Sequence, residues 1–109
     1  MPRLTASFWV QAYLRRLSLA NIPAFIVFKG DETAGAVLVK SNPLDGRATL
    51  LQRSYDAEGA RIWVELASGP EPEMDDIVEK QRRFDPDIWV VEVEDRAGRT
   101  LLDEEGLFG

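Results

Sequence analysis

Between Thr5 and Ala20, apolar residues recur at three- and four-residue spacing: Ala6, Trp9, Val10, Tyr13, Leu14, Leu17 and Ala20. On a 3.6-residue period they share one face, which predicts a helix over 5–20. Phe8, Val10, Ala12 and Leu14 also alternate as a strand would, but the length and the Leu, Arg, Gln and Ala content favour the helix. Asn21 and Pro23 stop it. The pattern then shortens to four runs separated by turn chemistry: "AFIVFK" (24–29), "GAVLVKS" (35–41), "RATLLQR" (47–53) and "RIWVEL" (61–66). Asp45-Gly46, Asp56 to Gly59 and Asp95 to Gly98 read as tight turns, because Asp caps the turn amides and Gly accepts a positive φ. These four runs are expected to form a meander of antiparallel hairpins.

A second helix is expected over about 72–84, with Met74, Ile77, Val78, Gln81 and Phe84 on one face. Acids at its start and Lys80, Arg82 and Arg83 at its end complement the helix dipole. Pro86 ends it. The run "DIWVVEVE" (87–94), the turn "DRAG" (95–98) and "RTLL" (99–102) read as a last hairpin. Ile88 to Val91 are apolar on both faces, as in a central strand. The expected fold class is therefore α+β: one domain over 1–102, with two helices on a mainly antiparallel sheet of five to six strands. The order is α-β-β-β-β-α-β-β, and an acidic tail follows over 103–109. Trp9, Trp63 and Trp89 are expected to be largely buried.

Composition narrows the chemistry more than it names it. The chain of 109 residues, 45% hydrophobic and 29% charged, suits one folded domain. With no Cys there is no disulfide, thiol nucleophile or Cys–zinc site, and with no His there is no imidazole base. No cofactor or metal is expected. The net charge of −6 disfavours nucleic acid and anionic membranes as partners. No apolar run approaches the ~18 residues of a membrane span. "RRLSLANIPAFIVF" (15–28) has the outline of a twin-arginine signal, with "AGA" (34–36) as its cleavage site. The breaks at Asn21 and Pro23 and the charges of Lys29, Asp31 and Glu32 argue against that, so a cytoplasmic protein is expected. No Gly-rich phosphate loop and no Gly-x-Ser-x-Gly elbow occurs.

"WVQAYLRR" (9–16), "AGAVLVKSNPLDGRATL" (34–50) and "RFDPDIWVVEVEDRAGRTLL" (83–102) resemble domain-of-unknown-function family 1491, a group of short alphaproteobacterial proteins. The resemblance spans nearly the whole chain. It implies a small stand-alone bacterial domain, and it brings no activity, cofactor or catalytic residue with it.

Four groups of side chains could carry chemistry. Glu92 and Glu94, with Asp95, could pair as carboxylates about 6.5–7 Å apart on one strand face. The plainer expectation is a strand end in solvent, where replacing Glu92 or Glu94 by Gln would move stability by less than about 0.5 kcal/mol. Asp85 and Asp87, with Arg82 and Arg83, could hold an anion or metal, against a plain helix stop. Arg15, Arg16, Lys40, Arg47, Arg53 and Arg61 could bind phosphate or RNA if they shared a face, against dispersed surface charge. Phe8, Ala12 and Leu19, with Arg15 among them, form a second stripe on the outer side of the first helix, an interface in waiting or scattered surface apolar groups. The function is unknown from the sequence. The leading expectation is a non-catalytic interaction module that associates with itself or one protein partner. The runner-up is a His-free enzyme or metal site built on Asp85, Asp87, Glu92 and Glu94, and an RNA- or nucleotide-binding accessory comes third.

Overall fold

The structure, a computed structural model, describes residues 5–103. Its elements run α1 (Ala6–Leu19), β1 (Ala24–Phe28), β2 (Val37–Asn42), β3 (Arg47–Tyr55), β4 (Arg61–Pro70), α2 (Glu71–Phe84) and β5 (Trp89–Glu94). The five strands form one sheet in the order β1-β5-β2-β3-β4. Three of its pairings are antiparallel and β2–β5 is parallel.

α1 lies on one face of this sheet. Thr5 starts it, its hydroxyl accepting from the Phe8 amide. Ala6, Trp9, Val10, Tyr13 and Leu17 pack with Val39, Trp89, Val91 and Val93 into one core. α2 covers the other face, where Met74 and Val78 meet Leu38, Ala48, Leu50, Ile88 and Val90. β5, like β2, contributes to both cores, and Trp89 to Val93 is buried throughout. That is the double-sided burial its unbroken apolar run implies.

The meander holds for β2–β3–β4 and fails for β1. β5 sits between β1 and β2, so the expected first hairpin does not form. "GDETAG" is instead a bridge across the start of β5. The carbonyls of Thr33 and Glu32 accept from the Ala6 and Ser7 amides at the start of α1, and the Asp31 carbonyl accepts from the Trp89 indole at 2.7 Å. The bridge runs so close that a Cβ at Gly30 or Gly35 would collide with the Asp87 carbonyl.

Three smaller expectations change. Residues 99–102 form no strand: after the Asp95–Gly98 turn, Leu102 enters the α1 core and the Thr100 carbonyl accepts from the buried Tyr13 hydroxyl at 2.8 Å. That contact draws the segment onto α1 rather than along β5. Phe84 is 87% exposed. It lies about 100° around α2 from the line between Met74 and Val78, outside the stripe that meets the sheet. Trp63 is only half-buried, whereas Trp9 and Trp89 are buried. Of the acidic tail, residues 104–109 lie outside the described residues.

Candidate functional site

The four carboxylates of the runner-up site do not gather in one place. Asp85 and Asp87 precede β5, while Glu92 and Glu94 end it. At about 3.3 Å per residue, Asp87 and Glu92 stand about 16 Å apart. Asp85 caps the turn out of α2, its carboxylate accepting from the Asp87 amide. Arg82 turns away from both, its guanidinium 3.5 Å from the Phe28 ring centre. Asp95 is held by Arg99 through two hydrogen bonds of 3.0 Å, which lower its pKa.

Glu92 corrects the sequence expectation most. It is 8% exposed, not solvated. Side chains alternate along β5, so Glu92 faces α2 with Val90 while its neighbours face α1. Parallel pairing sets it beside Lys40 of β2. The Lys40 ammonium meets Glu71 at 2.6 Å, Asp75 at 2.8 Å and Glu92 at 3.3 Å. Asn42 bridges the same group, its amide donating to Glu71 and Glu92 and its oxygen accepting from the Leu44 amide. Burial works against the charge on Lys40, yet Asp75, Glu71 and Glu92 outweigh it and hold its pKa well above the usual lysine value. A charge buried this way persists only when paired, and Lys40 occupies the centre that a metal would need.

The basic residues separate as well. Lys40 faces α2. Ala48 and Leu50 also face α2, so Arg47 and Arg53 point to the α1 side, six residues apart along β3. Arg53 and Arg61 are neighbours across β3 and β4. Arg53 lies opposite Trp63, and Tyr55 opposite Arg61, on the ribbon of β3 and β4 that overruns the start of β2. A bulge opposite Leu50 and Leu51 turns both Leu66 and Ala67 to the α2 core and leaves Trp63 and Arg61 on the α1 side.

This ribbon, the N-terminal turn of α1 and the start of β2 enclose a cleft of about 780 Å³. Trp9 and Trp63 form one wall with ring centres 5.6 Å apart, and the Arg53 guanidinium stands 5.3 and 5.1 Å from them. Gln81 and Asp85 line the α2 side. Burial and the charge of Arg61 both lower the pKa of Arg53. The buried indole N–H of Trp9 has no hydrogen-bond partner among the described residues. Nothing in the sequence spacing joins Trp9 to Arg53.

A second exposed region lies at the other edge of the sheet. Phe25, Ile26 and Val27 of β1 are consecutive and all exposed. On α1, Phe8, Arg15 and Leu19 are exposed and Ala12 is half-buried, so the outer stripe lies at the surface. No helix among the described residues is long and apolar enough to cross a membrane.

Similar proteins carry this fold throughout. A crystal structure of a DUF1491 family protein from Caulobacter crescentus CB15 is 44% identical, covers 93% of this chain and 96% of its own, and superposes with a TM-score of 0.84. An NMR structure of a DUF1491 family protein from the same organism gives 42% identity, 95% and 96% coverage, and a TM-score of 0.80. The solution structure of an A. tumefaciens protein gives 33% identity, 93% coverage of both chains and a TM-score of 0.76. No curated protein matches the chain. The family model described as "protein of unknown function (DUF1491)" matches residues 4–103, and the chain belongs to that family.

Proposed function

We propose that this protein is a non-catalytic, cytoplasmic interaction module that associates with a second copy of itself through edge strand β1. The observation that carries this reading is the run Phe25-Ile26-Val27, exposed on a strand with no charged residue from Ala24 to Phe28. Edge strands are ordinarily guarded by charge, and this one carries none. Two molecules of net charge −6 repel, so an uncharged strip is where they can approach. A two-fold axis also sets the same backbone groups against each other in complementary order. Pro23 and the bulge between Ile26 and Phe28 keep the strand short. The buried area therefore falls at the weak, transient end, below about 1,200 Å² in total.

The test needs no ligand: analytical ultracentrifugation of the wild type and of Val27→Lys over a range of concentrations. The wild type should dimerise as concentration rises, and the variant should stay a folded monomer. A dimer that survives Val27→Lys but dissociates with Phe8→Asp and Leu19→Asp would move the interface to the α1 stripe. A wild type that is monomeric throughout overturns the reading. A carboxylate enzyme is less well supported, because its acids lie at opposite ends of β5 and Glu92 is joined to Lys40.

A further inference from the structure

We infer that Phe25 is the residue by which the β1 edge recognises a second copy of this chain. The two strands pair antiparallel about a two-fold axis through Phe25, and each Phe25 ring packs on its counterpart. The inference rests on the reading of β1 as the self-association edge and fixes which residues meet there.

The hydrogen-bonding groups of β1 can be assigned one by one. The Glu94 amide donates to the Pro23 carbonyl at 2.8 Å, and the register sets Ala24 opposite Val93, Phe25 opposite Glu92 and Ile26 opposite Val91. Along an antiparallel pair, hydrogen-bonded and non-hydrogen-bonded positions alternate. The Pro23 carbonyl and both backbone groups of Phe25 therefore point at β5, whereas the N–H and C=O of Ala24 and Ile26 point outward. A strand added to this edge bonds to Ala24 and Ile26.

A two-fold axis can pass through Ala24, Phe25 or Ile26. An axis through Ile26 sets Ala24 against Phe28 of the second copy, across the bulge between Ile26 and Phe28 that breaks regular pairing. An axis through Ala24 sets Ile26 against Ile22 of the second copy, which lies before the strand and is packed in the α1 core. An axis through Phe25 sets Ala24 against Ile26 on both sides of the axis, and each such pair exchanges both its hydrogen bonds. Only that register uses all the outward groups within the regular part of β1.

The side chains agree with it. Ala24 and Ile26 share the α1 face with Val93 and Val91, so each Ile26 comes to lie beside the small Ala24 of the second copy. Phe25 is on the α2 face with Glu92 and is 46% exposed. At the axis it forms a non-hydrogen-bonded pair with itself, the closer of the two kinds, with Cα atoms about 4.5 Å apart. Aromatic rings gain from such a cross-strand contact. In a chain of net charge −6, the paired stretch sets no like charges against each other. The contact is short, so its area stays below about 1,200 Å² and the dimer is transient.

Because the chain has no Cys, a single introduced thiol reports its own distance from the axis. Phe25→Cys, Ala24→Cys and Ile26→Cys are each equilibrated with reduced and oxidised glutathione, and the disulfide-linked dimer is read on non-reducing gels. Phe25→Cys should cross-link at least about tenfold more than either neighbour, since its Cα atoms lie within disulfide range and diagonal positions about 7–8 Å apart do not. In ultracentrifugation, Phe25→Ala should weaken dimerisation about tenfold while staying folded by circular dichroism, and Phe25→Tyr should retain it. Should Phe25→Cys fail to fold, the Ala and Tyr variants carry the test. Cross-linking that is strongest at Ala24→Cys or Ile26→Cys, or a dimer indifferent to Phe25→Ala, overturns this register and leaves self-association through β1 standing. A wild type that stays monomeric overturns both.

Discussion

Lys40 and the Arg53–Arg61 pair are two places where this acidic chain brings positive charge against its sheet, and their surroundings differ. Lys40 lies under α2 with three carboxylates and an amide around it. Its charge is balanced within the fold. Arg53 and Arg61 stand side by side at the open end of the ribbon, with indoles as neighbours. The first arrangement is architecture, since both signs of charge are already supplied. The second sets two cations side by side at a cleft that Asp85 also lines. The lesson is that a residue's charge says little about its role until the neighbours that balance it are known.

Variants should separate the two regions, with the largest effects at Lys40. Lys40→Met keeps the apolar stem but leaves Glu92 buried without its counter-charge, and should cost about 3–5 kcal/mol. That is a large share of the roughly 5–15 kcal/mol that holds a domain together. Urea denaturation measures it, and a loss under about 1 kcal/mol would show that the cluster is solvated after all. Combining Lys40→Met with Glu92→Leu should recover much of the loss, because an ion pair replaced whole by apolar groups is often neutral.

Glu92→Gln should cost about 1–3 kcal/mol, more than a surface position would, since a buried charged partner is removed. Asp75→Asn, at a half-exposed side chain, should cost less than about 1 kcal/mol. The order of these two in melting experiments checks which carboxylate the fold relies on.

Alkaline pH should act on the closed side of the molecule. Burial raises the pKa of the Tyr13 phenol, and the carboxylates raise that of Lys40. In the unfolded chain these groups lose their protons near their ordinary values of about 10, while the native state keeps them. Stability is therefore fully present below about pH 10 and falls as pH rises above it. Tyr13→Phe should flatten part of that fall in urea midpoints taken between pH 9 and 11. A fall of equal steepness in the variant would remove Tyr13 as a cause.

The smallest effect is expected at the cleft. Arg61→Gln should change stability by less than about 0.5 kcal/mol, or raise it slightly, because it removes a charge that repels Arg53. A marked loss would mean that Arg61 supports the fold, contrary to the comparison with Lys40.

Some of this is legible in the sequence. The helix face of Trp9, Tyr13 and Leu17 is a local repeat, and so is the stripe of Met74 and Val78. The turns at Asp45, Asp56 and Asp95 each carry their own capping side chain and glycine, and Gly46, Gly59 and Gly98 all have positive φ. The apolar run of β5 announced a strand covered on both faces. Phe84 misled because it lies at the margin of its stripe, where a few tens of degrees decide burial. The candidate site was not legible, because its residues come from α1, β3 and β4 and meet only across strands.

The sequence by itself determined both helices, the five strands and the tight turns, though not the fate of residues 99–102, since those choices depend on periodicity and on residues a few positions apart. Tertiary structure alone decided the neighbours. Insertion of β5 between β1 and β2 placed Glu92 beside Lys40 and turned an expected surface acid into a buried one. The bulge in β4 decided that Trp63 and Arg61 face the α1 side, where Trp9 and Arg53 await them. Both outcomes depend on which strands pair and in which register. Those choices are settled by burying both faces of the sheet at once, a condition that no short window of sequence contains.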